Sequence, residues 1–326
     1  MADASSPIGF VGFGEAAFHI ARGLREEGLS GLVAFDIHTH TPGRGEKIRR
    51  RAEETGTRLV ASNAELAEAA DWIWSAVTSD QAAAAAAENA PHLEARHLYA
   101  DLNSVSPAVK QGIAKTIAAT GARFVEVAMM QPVPPYGHRV PILAGGAAAG
   151  EFQERMSRHG MRIEVVGPEV GTAAATKMFR SIMIKGMEAL ITECVLGAGR
   201  YGAEQGVFAS LAESYPGIDW PALADYMIGR VVEHGERRAR EMEEVAETLE
   251  SIGIEPIMAA ATARRQEWSA KIGLKRYFNG EPPKTYREFL DAVAELESVG
   301  QAARTRVPGV CSPQSSRQPG TCRSVE

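Results

Sequence analysis

Three polar side chains recur at four-residue spacing in a stretch of the chain, residues 171–199, that is otherwise strongly apolar. They are Lys177, Ser181 and Lys185, and helical geometry would place all three on one face. Removing water from an ammonium group lowers its pKa toward the range of a general acid or base. Lys177 is therefore a candidate for proton transfer, and the alternative is a face that points into solvent or toward an acidic partner.

A second pattern, near the start of the chain, predicts a phosphate-binding turn. Residues 8–24 read IGFVGFGEAAFHIARGL, which is typical of a short strand, a Gly-x-Gly-x-x-Ala turn and a helix. Gly12 would permit the turn, Gly14 would let a diphosphate approach the backbone, and Ala17 would allow close packing. Such turns also follow strands for purely conformational reasons. The cofactor contacts predicted here are Gly12, Phe13, Gly14, Glu15 and Ala16.

A carboxylate follows the next apolar run. Asp36 lies about 20 residues beyond the glycines, where an acidic side chain can bind an adenosine ribose and repel a 2′-phosphate. This favours NAD over NADP as the cofactor, although Asp36 could also be a surface residue that caps the following turn. A nearby basic run could instead neutralise a 2′-phosphate. It consists of His38, His40, Arg44, Lys47, Arg49, Arg50 and Arg51.

The overall composition excludes several classes of protein. The chain has 326 residues, enough for two domains, and a net charge of -6, which argues against nucleic-acid binding. No apolar run approaches the roughly 20 residues that span a bilayer. Cys194, Cys311 and Cys322 form neither a disulfide framework nor a metal-ligand spacing. With only a short polar lead-in and no signal-peptide pattern, we expect a cytoplasmic protein without a metal site.

The elements that must position these residues divide the chain in two. Up to residue 168, runs of strand length alternate with helical patterns, which predicts an α/β fold with a Rossmann-type, mostly parallel sheet. Beyond residue 171 only helical patterns occur. We therefore expect a dinucleotide-binding domain at 1–168, an all-α substrate and dimerisation domain at 169–306, and a disordered tail at 307–326 that is rich in Pro, Ser and Gly.

Four of these features together resemble the β-hydroxyacid dehydrogenases of the 6-phosphogluconate dehydrogenase-like superfamily. They are the glycine turn, Asp36, the segment 101–107 (DLNSVSP) and the segment 171–177 (GTAAATK). The resemblance extends from residue 8 to about residue 302. It implies a Rossmann domain, a helical second domain and a dimer.

The resemblance also implies roles for individual residues. Lys177 corresponds to the catalytic acid or base of that superfamily, and Asn103 and Ser104 correspond to residues on the nicotinamide side of the cofactor. The predicted cofactor contacts outside the glycine turn are Asp36, Val77, Thr78 and Asn103.

The chain departs from the superfamily pattern on the substrate side. Ser181 stands where the superfamily has an asparagine, and residues 126–132 (EVAMMQP) replace the Asp-Ala-Pro-Val-Ser-Gly-Gly loop. Met130 and Gln131 are bulkier than the residues they replace, and the proline has no N–H to offer a substrate carboxylate. We therefore do not expect a short, simple 3-hydroxy acid as substrate. The substrate contacts predicted here are Ser104, Met130, Gln131 and Ser181.

Two further substrate contacts come from segments that resemble one branch of the superfamily, whose C-terminal helical domain has no assigned function. His138, in a proline-rich loop, is either a substrate contact or a polar surface residue. Arg238, in the helical run 234–245, could bind an acidic substrate group with both guanidinium nitrogens. The alternative is a solvated helix face held by pairs four residues apart, such as Arg237 with Glu241.

These observations predict an NAD- or NADP-dependent oxidoreductase that transfers hydride between nicotinamide and a hydroxy or oxo substrate. The alternatives are an enzyme that resembles the imine reductases and a dinucleotide-binding protein without catalysis. Because residues 171–199 are too apolar for one chain to cover, we also expect a homodimer. Because Cys194 lies in this apolar stretch, we also predict that it is buried.

Overall fold

Eight strands form one sheet in the part of the chain that the computed structural model describes, residues 6–305. The strand order is β3-β2-β1-β4-β5-β6-β7-β8, and every neighbouring pair is parallel except β6 and β7. The strands are β1 (Ile8–Val11), β2 (Leu32–Phe35), β3 (Arg58–Leu59), β4 (Trp72–Ser75), β5 (Leu98–Asp101), β6 (Arg123–Met129), β7 (Ile142–Gly145) and β8 (Ile163–Gly167). The predicted tail at 307–326 lies outside the described residues.

Some helices lie between these strands, and the others follow the sheet. Those between strands are α1 (Glu15–Glu26), α2 (Arg44–Thr55), α3 (Asn63–Ala69), α4 (Ala82–Asn89), α5 (Pro107–Ala118), α6 (Val133–Tyr136) and α7 (Ala149–Ser157). Those that follow the sheet are α8 (Thr172–Gly199), α9 (Glu204–Ser214), α10 (Trp220–Ser251), α11 (Ile257–Lys271), α12 (Leu274–Tyr277) and α13 (Tyr286–Thr305). This arrangement confirms the predicted fold class.

The strands bury side chains on both faces of the sheet, as a parallel sheet covered by helices requires. Phe10 and Trp74 lie in the core on one face, together with Phe152 of α7. Val11 and Ile73, their neighbours along the chain, lie in the core on the other face. This alternation follows from the two-residue period of a strand.

The antiparallel pairing of β6 with β7 is a detail that the sequence pattern did not predict. Strand β7 begins at Ile142, although the apolar residues of this segment begin at Val140. Val140 donates its N–H to the carbonyl of Gly137 in a turn, and Pro141 has no N–H to donate to a sheet. The first ladder position available to the chain is therefore Ile142.

By its internal contacts the described chain separates into two units. One contains the residues up to Ile184 together with Met242–Ala259, and the other contains Lys185–Glu241 and the residues from Ala260 onward. The second unit has its own apolar core, which includes Phe208 and Phe289. None of the described helices is both long enough and apolar enough to cross a membrane. Within residues 6–305, no cluster of His, Cys, Asp and Glu side chains is placed to hold a metal ion.

Candidate functional site

The turn after β1 has the shape of a diphosphate cradle. Gly12 has a φ of 81°, and a Cβ at this position would lie 2.8 Å from the carbonyl oxygen of Ala76. A Cβ at Gly14 would meet no atom within 4 Å, so the space in front of the helix is open. Helix α1 begins at the next residue, and no side chain caps its N-terminus. The backbone N–H groups and the positive end of the helix dipole therefore face a space that fits a phosphate.

Asp36 ties this turn to the end of β2. Its Oδ2 accepts a hydrogen bond of 2.8 Å from the N–H of Phe13, and its Oδ1 accepts one of 2.8 Å from the N–H of His38. The bond to His38 shows that Asp36 does cap the following turn, as the alternative interpretation predicted. Asp36 also bonds to the glycine turn through Phe13. Each carboxylate oxygen has a further lone pair, so a ribose hydroxyl can still donate to this side chain.

Part of the basic run after Asp36 is engaged in the fold. Arg49 donates to the carbonyl of Thr39, and the guanidinium of Arg51 lies 5.5 Å from the centre of the Phe18 ring. Closer to Asp36, Nη1 of Arg44 lies 3.3 Å from Nε2 of His38. In this run the side chains of His38 and Arg44 therefore contact each other, whereas Arg49 and Arg51 contact other parts of the fold.

Asn103 connects the ends of two neighbouring strands. Its Oδ1 accepts a hydrogen bond of 2.7 Å from the N–H of Val77, and its Nδ2 donates to Ser75 Oγ at 2.9 Å. The same amide donates to Oδ1 of Asp101. Asn103 is buried, so these bonds hold the backbone at Val77 in one place. Thr78, the next residue, is exposed.

Lys177 and Ser104 are brought together although they come from different elements. Lys177 lies in α8, and its Nζ donates to the Oγ of Ser104 at 3.0 Å. Ser104 is exposed and follows β5 directly after Asn103. An amine and a hydroxyl at this distance, beside the strand ends that border the glycine turn, form a group that can transfer a proton.

A buried ion pair lies beneath Ser104, and the sequence pattern did not single it out. Nζ of Lys110 lies 2.9 Å from Oδ2 of Asp101, and both side chains are 1% exposed. Burial lowers the pKa of Lys110, and the charges of Asp101 and Glu126 oppose this shift. Lys110 shares a buried helix face with Ile113 and Ile117, and this apolar spacing is the signal that could have revealed it.

Glu126 is a second buried carboxylate that sequence reasoning missed. It lies in β6, and its Oε1 accepts hydrogen bonds of 2.9 Å from the N–H groups of Gly171 and Ala173. These groups stand at the N-terminus of α8, the helix that carries Lys177. A carboxylate is favoured at this position because the helix dipole is positive there.

The remaining residues predicted on the substrate side differ in their surroundings. Met130 is half-buried, and its side chain packs against the small core formed by Ala128, Leu143 and Ala173. Gln131 is exposed. The Oγ of Ser181 donates to the carbonyl oxygen of Lys177, one turn earlier in the same helix, at 3.4 Å.

His138 is buried, so its interpretation as a surface residue is wrong. It packs against the last turn of α1, where a Cβ on Gly23 would lie 1.8 Å from its Nδ1. Its Nε2 lies 3.7 Å from Oε1 of Glu27. Burial lowers the pKa of His138, and the charge of Glu27 partly opposes this shift. Gly23 is eight residues after Glu15, about 12 Å along the helix from its N-terminus, so His138 lies away from the glycine turn.

The solvated-face interpretation of the helical run holds for Arg237 but fails for Arg238. Arg237 is exposed and pairs with Glu241 at 2.5 Å. Arg238 is 4% exposed and forms a buried ion pair with Glu188. Glu188 also accepts hydrogen bonds from Arg230 at 3.2 Å and from Gln266 at 3.0 Å. An isolated guanidinium could not be buried at acceptable cost, so Arg238 needs this partner.

Helix α8 is less completely buried than its apolar sequence predicts. Met183 and Leu190 are 65% and 59% exposed, and Cys194 is exposed as well, which corrects the prediction that it is buried. These side chains point into solvent because they recur at spacings of seven and four residues on one face. Lys185 is buried instead, with its Nζ 2.7 Å from Glu241, so the alternative of an acidic partner applies to this lysine.

Two protein-family models match the chain. The NAD binding domain of 6-phosphogluconate dehydrogenase matches residues 7–131, which contain the glycine turn, Asp36, Asn103 and Ser104. A domain of unknown function, DUF1932, matches residues 198–269, within the helical part of the chain. The match to the first model supports a nicotinamide dinucleotide as the cofactor, without distinguishing NAD from NADP.

Solved structures and a curated relative are similar over most of the chain. A conserved hypothetical protein from Sinorhizobium meliloti is 40% identical with a TM-score of 0.81, over 90% of this chain and 97% of that one. A conserved protein of unknown function, described as structurally similar to 3-hydroxyacid dehydrogenases, is 31% identical with a TM-score of 0.72, over 81% of this chain and 97% of that one. An uncharacterised 28.5 kDa protein from Methanothermus fervidus is 27% identical over 78% of this chain and 95% of its own.

The two solved structures share enough sequence over enough of their length to establish a common family. The second of them is described as structurally similar to 3-hydroxyacid dehydrogenases, which agrees with the match to the NAD binding domain. The chain belongs to the family of 3-hydroxyacid dehydrogenase-like proteins in which an NAD binding domain of the 6-phosphogluconate dehydrogenase type is joined to a DUF1932 domain.

Proposed function

We propose that the protein is an NAD(P)-dependent dehydrogenase that interconverts a hydroxyl and a carbonyl group, with Lys177 as the general acid and base. The observation that carries this proposal is the 3.0 Å contact between Lys177 Nζ and Ser104 Oγ. It joins the apolar helix α8 to the strand ends that border the predicted cofactor site. A lysine in this position is suited to alcohol and carbonyl chemistry, because its amine can take up or release the hydroxyl proton.

The residues of the chain would divide the reaction between them. A bound nicotinamide dinucleotide supplies the acceptor of the hydride in oxidation and its donor in reduction. Lys177, as the neutral amine, takes the proton from the substrate hydroxyl when the C–H bond breaks, and as the ammonium it returns that proton to the carbonyl oxygen. Ser104 accepts a hydrogen bond from the amine and so fixes its direction. Asn103 holds the backbone of Val77 in place, because its side chain forms hydrogen bonds with Val77 and Ser75.

We further propose a preference for NAD over NADP. Asp36 stands at the end of β2 beside the glycine turn, and its charge would repel a 2′-phosphate. The bonds from Phe13 and His38 hold the carboxylate in this orientation. The guanidinium of Arg44, which lies 3.3 Å from the ring of His38, would reduce this repulsion in part, so we expect a preference rather than an exclusion.

On the substrate side we assign Ser104, Met130 and Gln131 as contacts. Gln131 is exposed and Met130 is half-buried next to the first turn of α8, so both are available to a ligand. Ser181 is committed in part to the carbonyl of Lys177. The contacts of His138 with Glu27 and of Arg238 with Glu188 support structural roles for these two residues instead.

A homodimer is part of the proposal. The exposed face of α8, with Met183 and Leu190, is an apolar surface that a second copy of the chain would cover. Sedimentation equilibrium on the full chain should give twice the mass of one chain. A stable monomer across the working concentration range would contradict this assembly.

The experiment that tests the activity compares Lys177→Met with Lys115→Met, which removes an exposed lysine on α5. Purified proteins are screened with NAD and NADP against hydroxy acids, alcohols, aldehydes and oxo acids. We expect Lys177→Met to lower kcat by at least about 100-fold with nearly unchanged cofactor Kd, and Lys115→Met to have no effect. Full activity of Lys177→Met would overturn the proposal.

Two other results would point to the alternative functions. Cofactor binding without turnover of any compound would favour a non-catalytic dinucleotide-binding protein. Reduction of cyclic imines with no reaction of hydroxy or oxo substrates would favour an enzyme similar to the imine reductases.

A further inference from the structure

The buried charges beneath Ser104 and α8 form one connected cluster, made of Asp101, Lys110 and Glu126. We propose that Glu126, together with the ion pair of Asp101 and Lys110, sets the distance between Lys177 and Ser104. Glu126 is then a positioning residue, because it acts on Lys177 through the backbone of α8. The catalytic consequence rests on the proposed function, whereas the structural consequence does not.

Glu126 attaches α8 to the sheet at the first turn of the helix. Its Oε1 accepts from the N–H groups of Gly171 and Ala173, each at 2.9 Å, and its side chain is fully buried. Lys177 follows Ala173 by four residues, which is about 6 Å along the helix axis. Because a helix is stiff over one turn, a shift of this anchor would move the amine of Lys177 by a similar distance.

The carboxylate of Glu126 has little freedom to move. A Cβ on Gly145, the residue opposite in β7, would lie 2.5 Å from its Oε1. A glycine at this position therefore leaves just the space that the carboxylate fills. A second tie supports the same segment, since Gln111 of α5 donates to the carbonyl of Val170 at 3.1 Å.

Lys110 anchors the segment that carries Ser104. Its Nζ lies 2.9 Å from Oδ2 of Asp101 and donates to the carbonyl oxygens of Asp101 at 2.7 Å and Val127 at 3.3 Å. Ser104 follows Asp101 by three residues, and Asn103 between them is bonded to the same carboxylate. The lysine therefore fixes the end of β5 against β6, next to the strand residue that anchors α8.

The charges of this cluster come close to balance only when α8 is included. Two carboxylates and one ammonium leave one negative charge buried, which is costly without a partner. The N-terminus of a helix carries the equivalent of about half a positive charge, and here Glu126 receives it through two N–H groups. The N-terminus of the helix that carries Lys177 thus contributes part of the positive charge that compensates the buried carboxylates.

The test uses Glu126→Gln, which keeps an oxygen acceptor but removes the charge, and Glu126→Ala, which removes both. Glu151→Gln is the matched control, because Glu151 pairs with Arg123 of the same strand but is partly exposed. Hydrogen exchange at the amides of residues 173–177 reports the anchor without requiring activity. Cofactor Kd and kcat are measured on the same proteins.

We expect exchange in the first turn of α8 to quicken by about tenfold in Glu126→Gln and more in Glu126→Ala. The value of kcat should fall by about 100-fold in Glu126→Ala and by less in Glu126→Gln, with cofactor Kd within about twofold of the wild type, because a displacement near 1 Å has effects of this size. Lys110→Met serves as a second variant if Glu126→Ala does not fold, and it should lower kcat in the same way.

Unchanged exchange and kcat in a folded Glu126→Gln would overturn the proposal, and so would an equal effect of Glu151→Gln. A parallel loss of cofactor binding and turnover would also overturn it, because that pattern indicates general loss of structure. If Lys177→Met keeps its activity while Glu126→Gln loosens α8, the proposed function fails and the anchor stands.

Discussion

The side-chain amine of Lys177 lies 3.0 Å from the hydroxyl oxygen of Ser104, although 73 residues separate them along the chain. Lys177 belongs to a long helix and Ser104 to the loop after β5, so their contact depends on the position of the helix on the sheet. Buried charged groups, in addition to apolar packing, attach the helix to the sheet.

Removing the hydroxyl of Ser104 should reduce turnover without weakening the cofactor complex. In Ser104→Ala the amine of Lys177 loses the hydrogen bond to this hydroxyl, so we expect kcat to fall by about tenfold or more. Cofactor Kd, measured by NADH or NADPH fluorescence, should remain within about twofold. Ser210→Ala, at an exposed position on α9, is the control. Wild-type kcat in Ser104→Ala would show that the contact has no catalytic role.

Asp36 should control the choice between the two nicotinamide cofactors. In Asp36→Ala the repulsion of a 2′-phosphate is lost, so the ratio of the NADP Kd to the NAD Kd should decrease. Affinity for NAD should also fall, because the bond to Phe13 N–H that holds the glycine turn is removed. Isothermal titration with both cofactors measures the ratio, and Asp291→Ala, in the helical part of the chain, serves as the control. A ratio that stays constant would remove Asp36 from the specificity site.

Protonation of His138 should destabilise the fold. Burial lowers its pKa in the folded protein, so the unfolded chain binds the proton more readily. Stability is therefore fully present above the unfolded value, about 6.5, and is lost as the pH falls toward the folded pKa. Urea denaturation at about pH 7.5 and about pH 5.5 should show a smaller loss for His138→Gln than for the wild type. His159 and His234, whose pKa values burial also lowers, contribute in both proteins. An equal loss in the two would contradict the assignment.

Glu188 should be among the most important charged residues for stability. Glu188→Ala leaves Arg230 and Arg238 without their shared carboxylate, and removing one partner of a buried ion pair costs about 3–5 kcal/mol. Glu193→Ala, on the same helix, removes a carboxylate that is 68% exposed and pairs with Arg265. This control should cost no more than about 1 kcal/mol. Similar free energies of unfolding for the two variants would mean that the Glu188 cluster is not effectively buried.

The features that were predictable from the sequence are those encoded locally. The spacing of Gly12, Gly14 and Ala17 indicates the cradle when it is combined with Asp36, which follows at the distance that the fold requires. The long helix α8 was also predictable, because its apolar stretch is too long for a strand. These patterns act within a few turns or one strand–helix unit.

The features that were not predictable depend on residues far apart in the chain. The apolar spacing of α5 could have placed Lys110 on the buried face, but it does not identify the partners of this lysine, which come from β5 and β6. Glu126 occupies a strand position where a carboxylate has no local partner, and its two donors lie 45 and 47 residues later. Arg238 was predicted as a substrate contact, with a solvated helix face as the alternative, and neither interpretation included its partner Glu188, which is on another helix. A local pattern can indicate that a charged residue is buried, but it does not identify the residue with which it pairs.

The close approach of Gly145 to Glu126 couples the two positions in any redesign of the chain. A methyl group at position 145 would occupy the place of the carboxylate oxygen, so Gly145→Ala alone forces Glu126 away from α8. Shortening the acid by one methylene in Glu126→Asp would remove the closest of these contacts, the one to Oε1 at 2.5 Å. The effects of the two substitutions should therefore not be additive, because the shorter acid relieves part of the clash that the methyl group creates.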